Sequence, residues 1–389
     1  MPLLNPRARW RQRLAGLALA ALTSLSFQAL AQSVTTREPA PPPDRIASLR
    51  WIGSFTLPTG TVFDGTEFGG ISGLDRAPDG TYWALSDDRE APRLYALRID
   101  LDQHGLHGVH IEQMVKLLGA DGQPLPARTA DPEAIRLTAT GQLLIASEGH
   151  WSADAARRHQ PFVHAFTTGG SFVRAFELPP GFGLIDNRTT GARNNKVFES
   201  LAITPSGLVF VANEEALIDD GPVATPEAGS WLRVMTLDPA SGTPVAQYAY
   251  ALPPIPLRRP PGEGRANVSR ADNGLTELLA VTEDSFIAVE RAYVPGEGVT
   301  VRLVLTRIEA ATNNVSQIKS LHNAAFQPMS RQLLLELPIP FIGLLLDNIE
   351  AIAWGPVLAN GNRSLILVSD NNFSRLQTTQ FLALEVVGE

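Results

Sequence analysis

Five pairs of polar residues recur along the chain with nearly constant spacing inside each pair: Ser72 and Asp87, Glu133 and Glu148, Glu199 and Glu214, Glu277 and Glu290, and Glu350 and Asp370. The interval is identical in the first three pairs, slightly shorter in the fourth and longer in the fifth, where the Ala359-Asn360-Gly361-Asn362 turn extends it. Carboxylates gathered in such numbers cannot all stay ionised without a counter-charge, because each raises the pKa of the others. Calcium is an apt guest, since it accepts about six to eight oxygens in flexible geometry. The chain has no Cys, which removes disulfides, thiolate zinc sites, Cys nucleophiles and a lipidated-Cys anchor from consideration. Protein cations are the competing counter-charge: Arg188, Arg193 and Lys196 precede the third pair, and Arg89 and Arg291 lie just beyond two of the acids. A bound cation beside an arginine would suit a phosphate ester, whose oxygens accept paired guanidinium bonds.

Each pair brackets two strands. The first member stands near the start of a short apolar strand: ISGLD from Ile71, PEAIRL from Pro132, FESLAI from Phe198, TELLAV from Thr276 and IEAIAW from Ile349. The second closes the next strand, as in YWALSD to Asp87, LLIASE to Glu148 and VFVANE to Glu214. An alternating strand follows (RLYALRID at 93–100, WLRVMTLD at 231–238), and a strand ending near Leu-Pro completes the phrase (SFTLP at 54–58, AFELP at 175–179). β-Branched and aromatic residues alternate with polar ones between Gly, Pro, Asn and Asp, the signature of strands. The first members stand at positions 72, 133, 199, 277 and 350, a period that suits a four-stranded blade with longer loops.

A four-stranded sheet cannot bury both faces alone, so the fold class is all-β and the architecture a β-propeller of five four-stranded blades, or six if one copy is degenerate. A strand near residues 50–57 joins the C-terminal strands to close the ring. A pair of β-sandwiches or a solenoid is the alternative, disfavoured by the long four-strand period. In an antiparallel hairpin the start of one strand meets the end of the next, which would collect nine carboxylates at one mouth. A carboxylate repeated at strand ends has a plainer use too, accepting backbone N–H bonds from the neighbouring blade.

Residues 1–31 read as a signal peptide: Arg7, Arg9, Arg11 and Arg13 lead a short apolar run, and Ala29-Leu30-Ala31 supplies the cleavage pattern. The leader carries four Arg and no acid, so what remains is more acidic than the net charge of −8 of the whole chain. A Pro-rich stretch over 32–45 leads into it. Export implies a bacterial periplasmic or secreted protein with no membrane span after cleavage, and the chain is read as a monomer. Its acidity argues against nucleic acid as a partner.

Other signals are weaker. Gly70-Ile71-Ser72-Gly73 lacks the spacing of a nucleophile elbow. His104, His107 and His110 have a spacing that focuses on no single metal. His150, just after Glu148, is placed to donate a proton at an acidic mouth.

The segments GGISGLD at 69–75, NNKVFESLAI at 194–203, ANEE at 212–215, NGLTELLAV at 273–281, DNIEAIAW at 347–354 and SDNN at 369–372 resemble the phytase-like family described as "esterase-like activity of phytase". The likeness runs from about Arg50 to Val387, so residues 46–389 form one phytase-like domain. It implies an exported propeller whose acids support phosphoester hydrolysis, with Glu133, Glu199, Glu277, Glu350 and Arg193 as catalytic candidates and Asn194 and Asn195 beside them. Asp87, Glu148, Glu214, Glu290 and Asp370 are the metal candidates, Ca2+ the expected ion and a small phosphate ester the expected partner. Val197 and Ser200, where small or Gly residues are expected, and Ser72 in place of an acid depart from the pattern. A non-catalytic propeller that binds a ligand, protein or envelope component is the alternative, and a lactone or carboxylic-ester hydrolase a third.

Overall fold

The computed structural model describes residues 46–258, 268–337 and 340–388. The residues read as a signal peptide, 1–31, and the Pro-rich stretch over 32–45 lie outside them. Among the described residues no helix is long and apolar enough to cross a membrane.

Five four-stranded antiparallel sheets form five blades of a propeller. Blade 1 runs through Ile71–Arg76, Tyr82–Ser86, Arg93–Leu101 and Leu106–Lys116. Blade 2 comprises Pro132–Leu137, Gln142–Ser147, Phe162–Thr167 and Phe172–Ala175. Blade 3 comprises Phe198–Ile203, Val209–Asn213, Ser230–Leu237 and Pro244–Leu252. Blade 4 comprises Asp272–Ala280, Ser285–Val294, Gly298–Arg307 and Ser330–Leu337. Blade 5 takes Asn348–Val357, Arg363–Asp370 and Thr379–Gly388 from the end of the chain and Ile46–Leu57 from its beginning. That last strand pairs antiparallel with Thr379–Gly388, Phe55 opposite Phe381 and Trp51 opposite Leu384, and closes the ring as expected.

The blades are held by five apolar clusters, one at each junction. Phe210 and Ala212 of blade 3 pack with Phe286 and Ala288 of blade 4, and Val209 and Val211 of the same strand pack with blade 2. A strand buried on both faces reads as a continuous apolar run, which is why VFVAN at 209–213 shows no polar alternation. Alternate residues of one strand thus serve two neighbours, and the inner strand of each blade is fixed from both sides. Gly73 permits a close approach: a Cβ there would lie 2.9 Å from the Ile135 backbone nitrogen of blade 2.

Candidate functional site

Each inner strand carries a β-bulge where it pairs with the second strand, and the bulges set the site. The unpaired residue is Ser72 in blade 1, Glu133 in blade 2, Glu199 in blade 3, Thr276 in blade 4 and Glu350 in blade 5. A bulge bends the strand and re-aims its side chain. The residue before each bulge pairs with Ser86, Ser147, Asn213, Glu290 and Ser369, so the next residue of each second strand stands beside the bulge: Asp87, Glu148, Glu214, Arg291 and Asp370.

Blade 4 corrects the expected alignment. Thr276 and Arg291 hold the repeat positions that the sequence reading gave to Glu277 and Glu290. A one-residue offset turns every side chain to the other face. Glu290 faces away from the mouth, accepting the Tyr250 hydroxyl at 2.5 Å and two Arg331 bonds at 2.6 and 2.8 Å. Glu277 lies deeper: its Oε2 is 3.0 Å from Arg136 Nη2, and its Oε1 accepts the Leu201 N–H at 2.9 Å. Arg136 of blade 2 also donates to the carbonyls of Leu74 at 3.0 Å and Leu278 at 2.6 Å. One guanidinium therefore ties blades 1, 2 and 4 together and, with Glu277 and Asp75, plugs the channel.

The remaining acids converge. Single oxygens of Asp131, Glu133 and Glu148 lie within 4.8 Å of one another, as do those of Glu148, Glu199 and Glu214. Glu350 and Asp370 join from blade 5 through Asn348, whose Nδ2 donates to Glu350 Oε1 at 2.8 Å and Asp370 Oδ2 at 3.4 Å. Asp87 completes the arc. It packs against Gly70, whose φ is +61°; a Cβ there would collide with Asp87 Oδ1.

Burial, and then the neighbouring carboxylates, push these groups up. Glu133 is raised by burial and by Glu199 and Asp131, Glu148 by burial and by Glu214, and Glu199 by burial and by Glu214 and Glu148. Burial and Asp370 push Glu350 up to about 8 despite Arg291, and burial pushes Asp370 up to about 6.

Three cations offset part of the charge. Arg89 binds Asp131, its Nε 2.6 Å from Oδ1. Lys196 Nζ lies 2.7 Å from both Glu214 and Asp272. Arg291 reaches Glu214 at 3.0 Å and Glu350 at 3.7 Å. The compensation is incomplete: Glu148 is fully buried and its Oε2 has no hydrogen-bond partner among the described residues, and Asp87 Oδ1 is likewise buried without one. Glu148 Oε1 accepts the Val197 N–H of blade 3 at 2.6 Å, so this acid also serves the plainer use.

The flanking candidates spread around this centre. Arg193 donates to the carbonyls of Ala216 at 2.9 Å and Gly221 at 2.7 Å, and forms no ion pair among the described residues. It lines a cavity of about 270 Å³ with Trp151, Arg188, Asn194 and Lys196. Asn194 Oδ1 accepts the Trp151 N–H at 2.6 Å, and Asn195 Oδ1 accepts Arg89 Nη2 at 2.7 Å, so both orient the rim. His150 exchanges backbone bonds with His159, and its charge bears on Asp131. Sequence reasoning missed Asp131, two positions before Glu133, and undervalued Arg291. The signal for Arg291 was present: Thr276 to Arg291 repeats the interval of the first three pairs.

The sequence pattern of the phytase-like family, described as esterase-like activity of phytase, matches residues 66–373. No curated protein matches the chain. Among solved structures it is similar to a GH43 beta-1,3-galactosidase with galactodeoxynojirimycin, at 11% identity and TM-score 0.44 over 85% of this chain and 94% of that one. It is also similar to the PQQ-bound aldose sugar dehydrogenase of Streptomyces coelicolor, at 14% identity and TM-score 0.35 over 89% of this chain and 99% of that one. Likenesses this distant say nothing of its chemistry. The family match spans most of the chain, all five bulges and the acids beside them included, and on that ground the protein belongs to the phytase-like family.

Proposed function

We propose that the acid mouth holds a divalent cation, calcium by its donor chemistry, and that the protein hydrolyses phosphate esters there. The observation that carries this reading is Glu148: a buried carboxylate oxygen with no partner, common to two sets of three acids. An unpaired buried charge is costly, and a hard cation relieves it. The donors are all oxygen, which fits calcium and excludes a thiolate metal. Asp131, Glu133, Glu148, Glu199 and Glu214 would hold the ion, with Asp87 and Asp370 at the edge of the set. When bound, it would supply charge neutralisation and Lewis-acid polarisation of a phosphoryl oxygen.

The chain's own residues supply the rest. Arg193 and Arg188 form no ion pair among the described residues and line one cavity beside the mouth, so Arg188 and the Arg193 N–H groups not held by the Ala216 and Gly221 carbonyls can take phosphate oxygens. Arg89, Lys196 and Arg291 are spent on carboxylates. Glu350, pushed up to about 8, keeps a proton at neutral pH and can give it to a leaving alkoxide. Glu199 orients the attacking water. The test is turnover of a phosphomonoester and phosphodiester panel by Glu199→Gln and Glu350→Gln. The reading predicts a loss of at least about 100-fold in kcat with folding intact; full turnover and metal binding in both would contradict it.

A second reading has an observation of its own. Glu148, Glu277 and Asp75 each accept a backbone N–H from a neighbouring blade, at 2.6, 2.9 and 2.7 Å. An exported propeller whose acids are braces, and which binds a ligand or envelope component without turnover, would melt at the same temperature in calcium and in EDTA and hydrolyse nothing in the panel.

A further inference from the structure

At the end of the channel away from the acid mouth, the inner strands come level at Arg76, Leu137, Ile203, Ala280 and Trp354, each the same number of positions beyond its bulge. A cavity of about 330 Å³ opens there, lined by Asp75, Arg136, Trp354 and Arg363 among others. The Trp354 indole N–H donates to the Ala280 carbonyl at 3.0 Å, which fixes the ring. The Arg363 guanidinium lies on that ring, 3.7 Å from its centroid. It makes no hydrogen bond or ion pair among the described residues. Arg76 bears on it with the same charge: burial first, and Arg76 next, push Arg363 down to about 10. Arg76 lies 5.8 Å from the Tyr82 ring centroid, and its Nε is buried without a hydrogen-bond partner among the described residues.

The carboxylates of this end are engaged elsewhere. Asp75 accepts the Leu137 N–H at 2.7 Å and faces Arg136, which Glu277 also binds. Glu283 accepts the Ser206 N–H at 2.7 Å and its hydroxyl at 2.6 Å. Asp100 and Asp102, beyond Arg76, lie 2.9 and 3.0 Å from His110 and His107. A guanidinium flat on an aromatic ring keeps its edge N–H groups free, in the fork that matches two oxygens of one anion. Two partly desolvated like charges repel, and a shared anion removes both costs.

We infer that Arg363 and Arg76 form an oxyanion site at the end of the channel opposite the acid mouth, taking a phosphate or carboxylate group. The site stands independently of the chemistry proposed at the acid mouth. Its test is calorimetric titration of inorganic phosphate into the full chain in EDTA at fixed ionic strength. An Arg193→Gln background removes one of the two arginines proposed to take phosphate at the acid mouth, and EDTA removes the cation proposed beside them. One phosphate per chain should bind. Adding Arg363→Gln or Arg76→Gln should weaken it at least tenfold, and Arg363→Lys, which keeps the charge but not the fork, should weaken it less. Acetate titrated in parallel separates the sources: binding as tight as phosphate assigns a carboxylate ligand, and weaker binding a phosphoryl group. Absence of phosphate binding in the Arg193→Gln background would overturn the inference. So would equal affinity after Arg363→Gln in a chain that melts like its parent.

Discussion

Where the inner strands begin, eight carboxylates (Asp87, Asp131, Glu133, Glu148, Glu199, Glu214, Glu350 and Asp370) face Arg89, Lys196 and Arg291. Where the strands end, Arg76 and Arg363 have no ion-pair partner among the described residues, while nearby acids are engaged by Arg136, by backbone N–H groups or by histidines. Between the two, Arg136 pairs with Glu277 and donates to carbonyls of blades 1 and 4. One repeated scaffold thus carries opposite surpluses at its ends, separated by a plug bonded to several blades. The plug ties blades 1, 2 and 4 together, whereas neither surplus is fully compensated among the described residues.

Breaking the plug should have the largest effect. Arg136→Met strands Glu277 and Asp75 in the channel and frees the Leu74, Ile135 and Leu278 carbonyls, so it should cost about 3–5 kcal/mol in urea unfolding. If it costs no more than a surface substitution, the division into plug and mouths fails.

The acid mouth should respond to pH in a direction set by its raised pKa values. Folded-state values above the ordinary range mean that the folded protein retains protons the unfolded chain has lost. That stability is complete below the ordinary carboxylate range and is lost as pH rises through about 6 for Asp370 and about 8 for Glu350. In EDTA the melting temperature should therefore fall from pH 5 to pH 8, and Glu350→Gln should flatten the fall. A melting temperature that rises over that interval would contradict the electrostatics described.

The smallest effect belongs to the far end. Arg363→Gln removes a cation that has no hydrogen-bond or ion-pair partner among the described residues and whose stacking on Trp354 is opposed by burial and by Arg76, so in phosphate-free buffer stability should change by no more than about 1 kcal/mol. A loss of several times that amount would mean that the protein itself supplies the partner.

Much of this was legible in the chain. The five strand phrases marked the blades. The N-terminal strand's place in blade 5 followed from a ring that must close. The constant interval within the first three pairs located Asp87, Glu148 and Glu214 beside their bulges. The register of blade 4 was misread because Glu277 adjoins Thr276, and an acid beside the repeat position mimics the acid that other blades carry at it. A bulge is a backbone feature that composition does not mark; only the shared interval, Thr276 to Arg291, pointed to it. Arg136 and Arg363 were unreadable for another reason. Their meaning lies in contacts with blades remote in sequence, the Leu278 carbonyl for one and the Trp354 face beside Arg76 for the other.

Calcium titration by calorimetry into EDTA-stripped protein, followed by dialysis, tests the cation site most directly. The account predicts saturable binding that Glu148→Gln abolishes and that Glu277→Gln, deeper in the channel than the mouth acids, leaves in place. Equal binding by the parent chain and Glu148→Gln, or loss of binding only in Glu277→Gln, would contradict it.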